Sequence, residues 1–183
     1  YDGTWSIDLE GLAAAVDAAP RARAIALVAP NNPTGNYLSP GELAALAGLA
    51  AARGLALIAD EVFFDYPLEH VSAASPIAAT AALTFVLSGL SKVAAMPQLK
   101  LAWIAARGPD PLVREAVRRL ELVADTFLSA ATPVQRAAGP LLAAAPAIQR
   151  TILARARANL GALRRACAGT SLTPLAAQGG CTG

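Results

Sequence analysis

The sequence predicts an α/β fold in which a mainly parallel sheet is flanked by helices. Short apolar runs occupy residues 24–29, 55–59 and 82–87, and each ends at a polar or turn-forming residue. Such runs are typical of strands buried on both faces, as in parallel sheets. A capped helical segment separates the first two runs, which produces the strand–helix–strand order of a parallel crossover.

The helices next to these strands begin with clear signals. Residues 9–18 form a short amphipathic segment that Asp8 can cap. Ser39 precedes a second helical segment, and Glu42 follows three residues later. This is the pattern of a capping box, in which each side chain bonds the main-chain N–H of the other residue. The second helix is predicted to cover residues 40–53.

The composition of the chain changes after Gly108. One more strand is predicted just before the change, at residues 101–106. Alanine- and arginine-rich segments then predict three helices, and a further strand is predicted to begin in the tail; these elements lie at residues 111–123, 132–144, 147–168 and 171–175. We therefore predict a domain boundary near residues 108–125.

Composition argues against several classes of partner and site. The 183 residues carry a net charge of +2, which is too small to indicate a nucleic-acid partner or an acidic membrane surface. One histidine and two cysteines do not supply a metal site or a disulfide framework. We find no signal peptide and no apolar run of membrane-spanning length. We expect a cytoplasmic protein with no nucleic acid, no membrane and no metal among its partners.

Lys92 stands at the end of the third apolar run, in the segment SGLSK at residues 88–92. Open α/β sheets bind ligands at this end of their strands. Lys92 is the only formally charged side chain between Glu69 and Lys100, so we expect it in apolar surroundings. Desolvation disfavours the ammonium form, and a neutral lysine amine forms a Schiff base with an aldehyde. The alternative is an ordinary surface lysine after a strand.

Polar side chains follow the first two apolar runs in the same way. Parallel strands would bring residues 31–35 and residues 60–63 to the same sheet edge as Lys92. The edge would then hold an amide, a carboxylate and an amine, a set that suits an aromatic nitrogen heterocycle carrying an aldehyde. The alternatives are that Asp60 only caps a helix and that Asn32 serves only its turn.

Four motifs in order carry a family resemblance: NNPTG at residues 31–35, ADEVF at 59–63, SGLSK at 88–92 and QLKLAWI at 98–104. Together they resemble the class I/II aminotransferases of the fold-type I pyridoxal-phosphate-dependent superfamily. The resemblance implies transfer of an amino group between an amino acid and a 2-oxo acid through a lysine Schiff base. It also implies that residues 1–108 are the C-terminal part of the large cofactor-binding domain. Residues 109–183 would be the linking helix and the truncated start of a small α+β domain.

The resemblance implies roles for three side chains. Lys92 would form the Schiff base with pyridoxal 5'-phosphate and, once freed by the substrate, would move the proton. Asp60 would face the pyridine nitrogen and keep it protonated, which makes the ring an electron sink. Asn32 would bond the phenolic oxygen of the cofactor. The Asn32–Pro33 peptide bond would be cis, which an X-Pro bond can adopt at modest cost.

Two positions on the implied phosphate side depart from the family pattern. Lys100 stands where the family usually has an arginine, so the charge is kept and the bidentate fork is lost. Gly89 stands where the family usually has a serine. Hydroxyl groups on either side of this glycine are in reach of the phosphate, and they belong to Ser88 and Ser91.

The ring side of the implied site departs as well. The tyrosine that the family carries three residues after the aspartate is Phe63 here, so one donor to the phenolic oxygen is missing. Tyr66, three residues further on, is a candidate substitute. Because the lysine and the aspartate are both retained, these departures indicate a distinct subgroup.

The resemblance also implies that this is a partial chain. The phosphate-binding turn, the aromatic ring that stacks on the cofactor and the arginine that binds the substrate carboxylate would lie outside these residues. The full-length protein would form a homodimer. The 183 residues alone would supply the covalent anchor without the whole pocket, and we expect them to be inactive in isolation unless that pocket is completed.

Three other functions stay open from the sequence. A lyase on the same fold, such as a carbon–sulfur lyase, would use the same Lys92 and Asp60. A non-catalytic regulator would use an aminotransferase-like domain to sense the cofactor for a DNA-binding module. A degenerate remnant would be consistent with the departures at Phe63, Gly89 and Lys100. A dinucleotide-binding enzyme is disfavoured, because no G-x-G-x-x-G motif follows a strand.

Overall fold

The computed structural model describes Gly3 and residues 5–127 and 129–180, and a four-stranded sheet lies at its centre. The strands are arranged in the order β1 (Ala24–Val28), β2 (Ala56–Asp60), β3 (Thr84–Gly89) and β4 (Ala102–Arg107). β1, β2 and β3 are parallel, and β4 pairs antiparallel with β3. The predicted α/β class with a mainly parallel sheet is confirmed, and the strand bounds differ from the predicted runs by at most two residues.

Two helices, α1 (Leu9–Asp17) and α2 (Pro40–Ala52), begin at the predicted caps. The Asp8 side chain accepts a hydrogen bond from a first-turn N–H at 2.8 Å. At α2, Ser39 Oγ accepts from Glu42 N at 3.2 Å, and Glu42 Oε2 accepts from Ser39 N at 2.9 Å. These bonds satisfy N–H groups that have no partner within the helix, so the local sequence suffices to define where each helix begins.

α2 packs on the sheet and closes the main apolar cluster. Leu46 and Ala50 of α2 are 1% and 0% exposed, and Leu57 of β2 is 0% exposed. Burial of one such leucine stabilises the folded state by about 1.5–3 kcal/mol. The cluster therefore anchors β2, the strand that ends in Asp60.

A second apolar cluster joins the sheet to the C-terminal helix. β3 runs directly into α3 (Leu90–Val93), a helix of a single turn. Leu90 is 0% exposed and packs in one cluster with Ala145 of α5 (Thr132–Cys167), which is 2% exposed. This contact holds the turn that carries Lys92 against α5.

α5 is one continuous helix, so the predicted division into helices at 132–144 and 147–168 is wrong. Pro140 and Pro146 lie inside it. A proline within a helix removes one main-chain hydrogen bond and is normally unfavourable. Ala145, Val134 and Leu141 of α5 pack in the cluster that contains Leu90, and such packing contributes to offsetting the loss, because tertiary packing supplies most of the stability of a helix in a folded protein.

The other C-terminal elements are α4 (Asp110–Phe127) and an irregular tail. The helix predicted at 111–123 is confirmed and extends further at both ends. The strand predicted to begin at 171–175 is wrong, and the nearest bridge pairs Gly179 with Pro67. Pro174 has no N–H to give to a strand partner, which disfavours pairing there. Within the described residues, no helix combines the length and the apolar character needed to cross a membrane.

Candidate functional site

The sheet register brings the three predicted segments to one edge of the sheet. Asp60 is the last residue of β2 and pairs with Val28 of β1 and Leu87 of β3. The pairing continues past β1, because Ala29 N donates to Asp60 O at 2.9 Å. The loop after β1, the turn after β2 and the helix α3 therefore leave the sheet side by side.

The loop after β1 is closed by its own hydrogen bonds. Gly35 N donates to Asn31 O at 2.7 Å, and Asn31 N donates to Asn36 O at 2.9 Å. Gly35 has a φ of +74°, in the left-handed region that favours glycine. The Asn32–Pro33 peptide bond is cis, as the resemblance implied, and Asn32 is exposed.

Asp60 is half-buried and starts the turn after β2. Its Oδ1 atom accepts a hydrogen bond from Val62 N at 3.0 Å. A turn and no helix follows at residues 61–66, so the alternative that Asp60 caps a helix is wrong, and the bond to Val62 N belongs to the turn itself. An ionised carboxylate accepts about four hydrogen bonds, so this single bond leaves capacity for a second partner.

Lys92 is exposed, which corrects the expectation that it lies in apolar surroundings. Leu90 and Val93 take the buried face of α3, at 0% and 9% exposure, and Lys92 lies on the other face. Its Nζ atom lies 5.3 Å from the centroid of the Phe63 ring, within cation–π distance. The structure thus brings together Lys92 and Phe63, which follows Asp60 by three residues.

Tyr66 does not take the role of substitute donor that the sequence suggested. It is 1% exposed, and its hydroxyl donates to the main-chain carbonyl of Lys92 at 2.5 Å. A hydroxyl has one proton to donate, and here the Lys92 carbonyl receives it. Tyr66 therefore binds the chain that carries the lysine.

The residues predicted on the phosphate side are spread over three elements. Ser88 is half-buried in β3, opposite Trp103 of β4, and Ser91 is half-buried in α3. Lys100 is exposed after a short 3-10 turn and has a φ of +51°. Among the described residues, the Lys100 side chain makes no hydrogen bond or ion pair. The joint binding of a phosphate by Ser88, Ser91 and Lys100 stays a prediction.

Gly89 is glycine for a packing reason. A Cβ atom at this position would lie 2.9 Å from Leu101 O and 3.1 Å from Ala102 Cα. Both are main-chain atoms at the start of β4, so they move away only if the β3–β4 pairing shifts. The family serine does not fit this position without such a shift.

We expect Gly89→Ser to destabilise the protein by about 1–3 kcal/mol, because it overpacks the contact with β4. Gly48→Ser in α2 is the matched control, since a Cβ there meets nothing within 4 Å. The control should change the free energy of unfolding by less than about 0.5 kcal/mol, or raise it. Urea unfolding of both variants measures the difference, and equal effects would contradict the steric explanation.

A C-terminal segment closes over the loop after β1, and the sequence did not indicate this contact. Gln178 N and Gly179 N both donate to Gly35 O, at 3.1 and 2.8 Å. The Gln178 side chain accepts from Tyr37 N at 2.9 Å. Leu68 N, after β2, donates to Gln178 O at 2.8 Å. The segment therefore ties the two loops that follow β1 and β2.

Glu61, next to Asp60, is buried at 8% exposure. Ser75 Oγ donates to its Oε2 atom at 3.0 Å, and its Oε1 atom has no partner within the described residues. Burial raises the pKa of Glu61; the bond from Ser75 opposes this rise and the charge of Asp65 adds to it. The Glu61 carboxyl group therefore binds the loop that contains Ser75, and its other oxygen loses its contact with water without gaining a hydrogen bond within the described residues.

The raised pKa of Glu61 predicts a pH dependence of stability. Above the ordinary value of 4.5 the unfolded chain releases the proton while the folded chain keeps it, so stability falls as the pH rises through the folded-state pKa. Glu61→Gln does not ionise. We expect the free energy of unfolding of this variant, relative to the unmodified protein, to increase over that pH window and then level off. Urea unfolding over a pH series measures it, and a difference independent of pH would refute the prediction.

Comparison with known proteins identifies one family. A model of the family described as aminotransferase class I and II matches residues 1–180. Glutamate-pyruvate aminotransferase AlaA of Escherichia coli is 33% identical over 137 residues, which cover 73% of this chain and 33% of AlaA. S-alkyl-thiohydroximate lyase SUR1 of Arabidopsis thaliana is 32% identical over 142 residues, which cover 70% of this chain and 29% of SUR1.

The solved structures agree with the sequence relatives. N-succinyldiaminopimelate aminotransferase from Mycobacterium tuberculosis superposes on 98% of this chain with a TM-score of 0.79 and 26% identity. The match covers 46% of that protein. The chain thus spans between 29% and 46% of the length of these three proteins.

Proposed function

This chain belongs to the aminotransferase class I and II family, and we propose that it carries the lysine and the carboxylate with which a pyridoxal 5'-phosphate-dependent enzyme transfers an amino group between an amino acid and a 2-oxo acid. The family depends on pyridoxal 5'-phosphate. In this proposal, residues 1–108 supply part of the cofactor-binding domain. Residues 109–183 supply the linking helix and part of the small domain, and the full-length protein acts as a homodimer.

The amine of Lys92 is the observation that carries the proposal. It is exposed at the sheet edge where β2 ends, and it lies 5.3 Å from the Phe63 ring. A carboxylate, Asp60, ends the neighbouring strand, and an exposed amide, Asn32, follows the strand beyond it. An accessible amine, a carboxylate and an amide at one edge fit the aldehyde, ring nitrogen and phenolic oxygen of pyridoxal 5'-phosphate.

Each of these side chains has a separate task. When bound, the cofactor supplies an aldehyde that accepts the amino group and a ring that delocalises the electron pair left on the substrate. Lys92 Nζ would bind the aldehyde at rest and, once released, would move the proton from the substrate Cα to the carbon that carried the cofactor aldehyde. The Asp60 carboxylate holds a proton at the ring nitrogen. The Asn32 amide donates to the phenolic oxygen and so orients the ring.

Covalent capture of the cofactor tests the proposal, and the small number of lysines allows the adduct to be assigned without ambiguity. The chain has two lysines, Lys92 and Lys100, and both are exposed. The protein is incubated with pyridoxal 5'-phosphate and reduced with borohydride, and the adduct is located by peptide mass. We expect an adduct on Lys92 that persists in Lys100→Ala and disappears in Lys92→Ala.

Lys100 is the internal control, because exposure alone would label both amines. Equal labelling of Lys92 and Lys100 would mean that the residues around Lys92 do not select it, and the proposal would fail. Labelling of Lys100 in preference to Lys92 would have the same meaning.

A lyase reaction is the second candidate, and the similarity to SUR1 favours it. Both reactions need the amine of Lys92 and the carboxylate of Asp60, so the residues described here serve either. They differ in what leaves the substrate: transamination retains the side chain, and a carbon–sulfur lyase releases a thiol.

Paired product assays separate the two candidates. The full-length protein, loaded with pyridoxal 5'-phosphate, is given L-glutamate with pyruvate in one assay and S-methyl-L-cysteine in the other. We expect formation of 2-oxoglutarate in the first and no thiol in the second. Release of thiol without amino transfer would favour the lyase.

A further inference from the structure

Side chains from two other parts of the chain bind the C-terminal carbonyls of α3. Tyr66 Oη donates to Lys92 O at 2.5 Å, and Gln149 Nε2 of α5 donates to Val93 O at 2.9 Å. The local donor to Lys92 O, Ala95 N, lies at 3.4 Å. A single helical turn is unstable alone, because it has few internal hydrogen bonds to offset the ordering of its residues. The main chain at Lys92 therefore depends on bonds from outside the turn.

Burial and further hydrogen bonds fix the positions of the two donors, Tyr66 and Gln149. Tyr66 is 1% exposed, its N–H donates to Phe63 O at 3.0 Å, and its carbonyl accepts from Gly180 N at 3.0 Å. Gln149 Nε2 also contacts Asp65 Oδ2, at 3.2 Å. A donor with a fixed position can fix the position of its acceptor.

Further contacts tie the segment after Tyr66 to α5. Arg157 donates to Pro67 O at 2.8 Å and to Leu68 O at 3.1 Å. Arg164 lies nearer the C-terminal end of α5 and forms an ion pair with Glu69, with 2.5 Å between Arg164 Nη2 and Glu69 Oε1. The segment that carries the Tyr66 hydroxyl is thus fastened to the same helix that carries Gln149.

We propose that Tyr66 and Gln149 are positioning residues for Lys92, because they hold the main chain of the turn from which its amine projects. This role presupposes the proposed function of Lys92, and neither side chain touches the reacting atoms. An exposed lysine has a flexible four-carbon stem, and the contact with the Phe63 ring restrains only its end. The fold therefore fixes the position of Lys92 mainly through its main chain.

Removal of one hydroxyl group tests the role of Tyr66. Tyr66→Phe keeps the buried ring and deletes the bond to Lys92 O. Tyr37→Phe is the matched control, since Tyr37 is 5% exposed and its hydroxyl donates to another main-chain carbonyl, Phe64 O, at 2.8 Å. Amide hydrogen exchange is measured at Ala94, Ala95 and Met96, each as a ratio to the exchange of Leu57 in the central strand. This ratio removes any change in global stability.

We expect the exchange ratio to rise about tenfold in Tyr66→Phe, the factor that corresponds to about 1.4 kcal/mol for a lost buried hydrogen bond. It should change less than about twofold in Tyr37→Phe. The preference for labelling Lys92 over Lys100 by pyridoxal 5'-phosphate and borohydride should fall in Tyr66→Phe and not in the control. Equal exchange ratios in the two variants would overturn the inference.

A second pair of variants keeps the test decisive if Tyr66→Phe does not fold. Gln149→Ala deletes the bond to Val93 O, and Gln135→Ala deletes a similar bond to Ala130 O at 2.8 Å near the start of the same helix. Faster exchange of the α3 turn in Gln149→Ala alone supports the inference, and equal exchange overturns it. Absence of any adduct on Lys92 in the unmodified protein counts against the proposed function, whereas the exchange ratios decide the positioning role independently.

Discussion

In the full-length protein, Asp60→Asn is expected to slow the proposed amino transfer by about 100- to 1000-fold, the loss typical when one preorganised electrostatic partner is removed. The asparagine keeps an oxygen that can accept from Val62 N, as Asp60 Oδ1 does at 3.0 Å. It loses the negative charge that, in the proposed function, holds a proton at the ring nitrogen. The turn after β2 should therefore keep its structure, while the rate of amino transfer falls. Single-turnover conversion of the bound amino acid to its 2-oxo acid measures the rate.

Asp60→Ala completes this comparison, because it removes both the charge and the bond to Val62 N. We expect it to be as slow as Asp60→Asn, and less stable by about 0.5–1.5 kcal/mol, the net contribution of one intramolecular hydrogen bond. If Asp60→Asn retained its rate and Asp60→Ala did not, Asp60 would be a turn residue without a role in proton holding. The two variants thus separate a role of Asp60 in the turn after β2 from its proposed role at the cofactor ring.

Leu57→Ala is expected to destabilise the protein by about 3 kcal/mol, within the range of about 2–5 kcal/mol for leucine to alanine in a core. Leu57 is 0% exposed in β2, with β1 and β3 on either side and α2 packed over the sheet. The truncation removes buried methyl groups and leaves a cavity that the strands on both sides cannot fill. Urea unfolding measures the change.

Leu122→Ala is the control for this prediction, because Leu122 in α4 is 65% exposed. The same chemical change should alter the free energy of unfolding by less than about 0.5 kcal/mol there. A similar loss at both positions would mean that α4 is covered by a partner in solution. A small loss at Leu57 would contradict the assignment of β2 to the centre of the core.

Several features of this protein follow from short stretches of sequence. The strand runs, the Asp8 cap and the Ser39–Glu42 capping box depend on residues within a few positions of one another, so the sequence suffices to predict them. The order of the motifs NNPTG, ADEVF and SGLSK also follows from local patterns. Parallel strands of known order then place these motifs at one sheet edge.

Other features depend on contacts between residues far apart in the chain. The Tyr66 hydroxyl reaches the Lys92 carbonyl across 26 positions, and the Gln178 side chain reaches Tyr37 N across 141 positions. No local pattern encodes such pairs, because either partner can satisfy its hydrogen bonds in many other ways. The same holds for α5, which stays continuous through Pro140 and Pro146 while its side chains pack in the cluster that contains Leu90.

The chemical identity of the candidate site was therefore decided by the sequence, and its exposure and support were decided by tertiary structure. The amine, carboxylate and amide at Lys92, Asp60 and Asn32 are properties of residue type and strand order. The exposure of Lys92 depends instead on which face of α3 packs against α5. Which side chains are buried and which hydrogen bonds form depends on contacts between segments that are far apart in the chain. These contacts are determined by the whole fold and not by any local stretch of sequence.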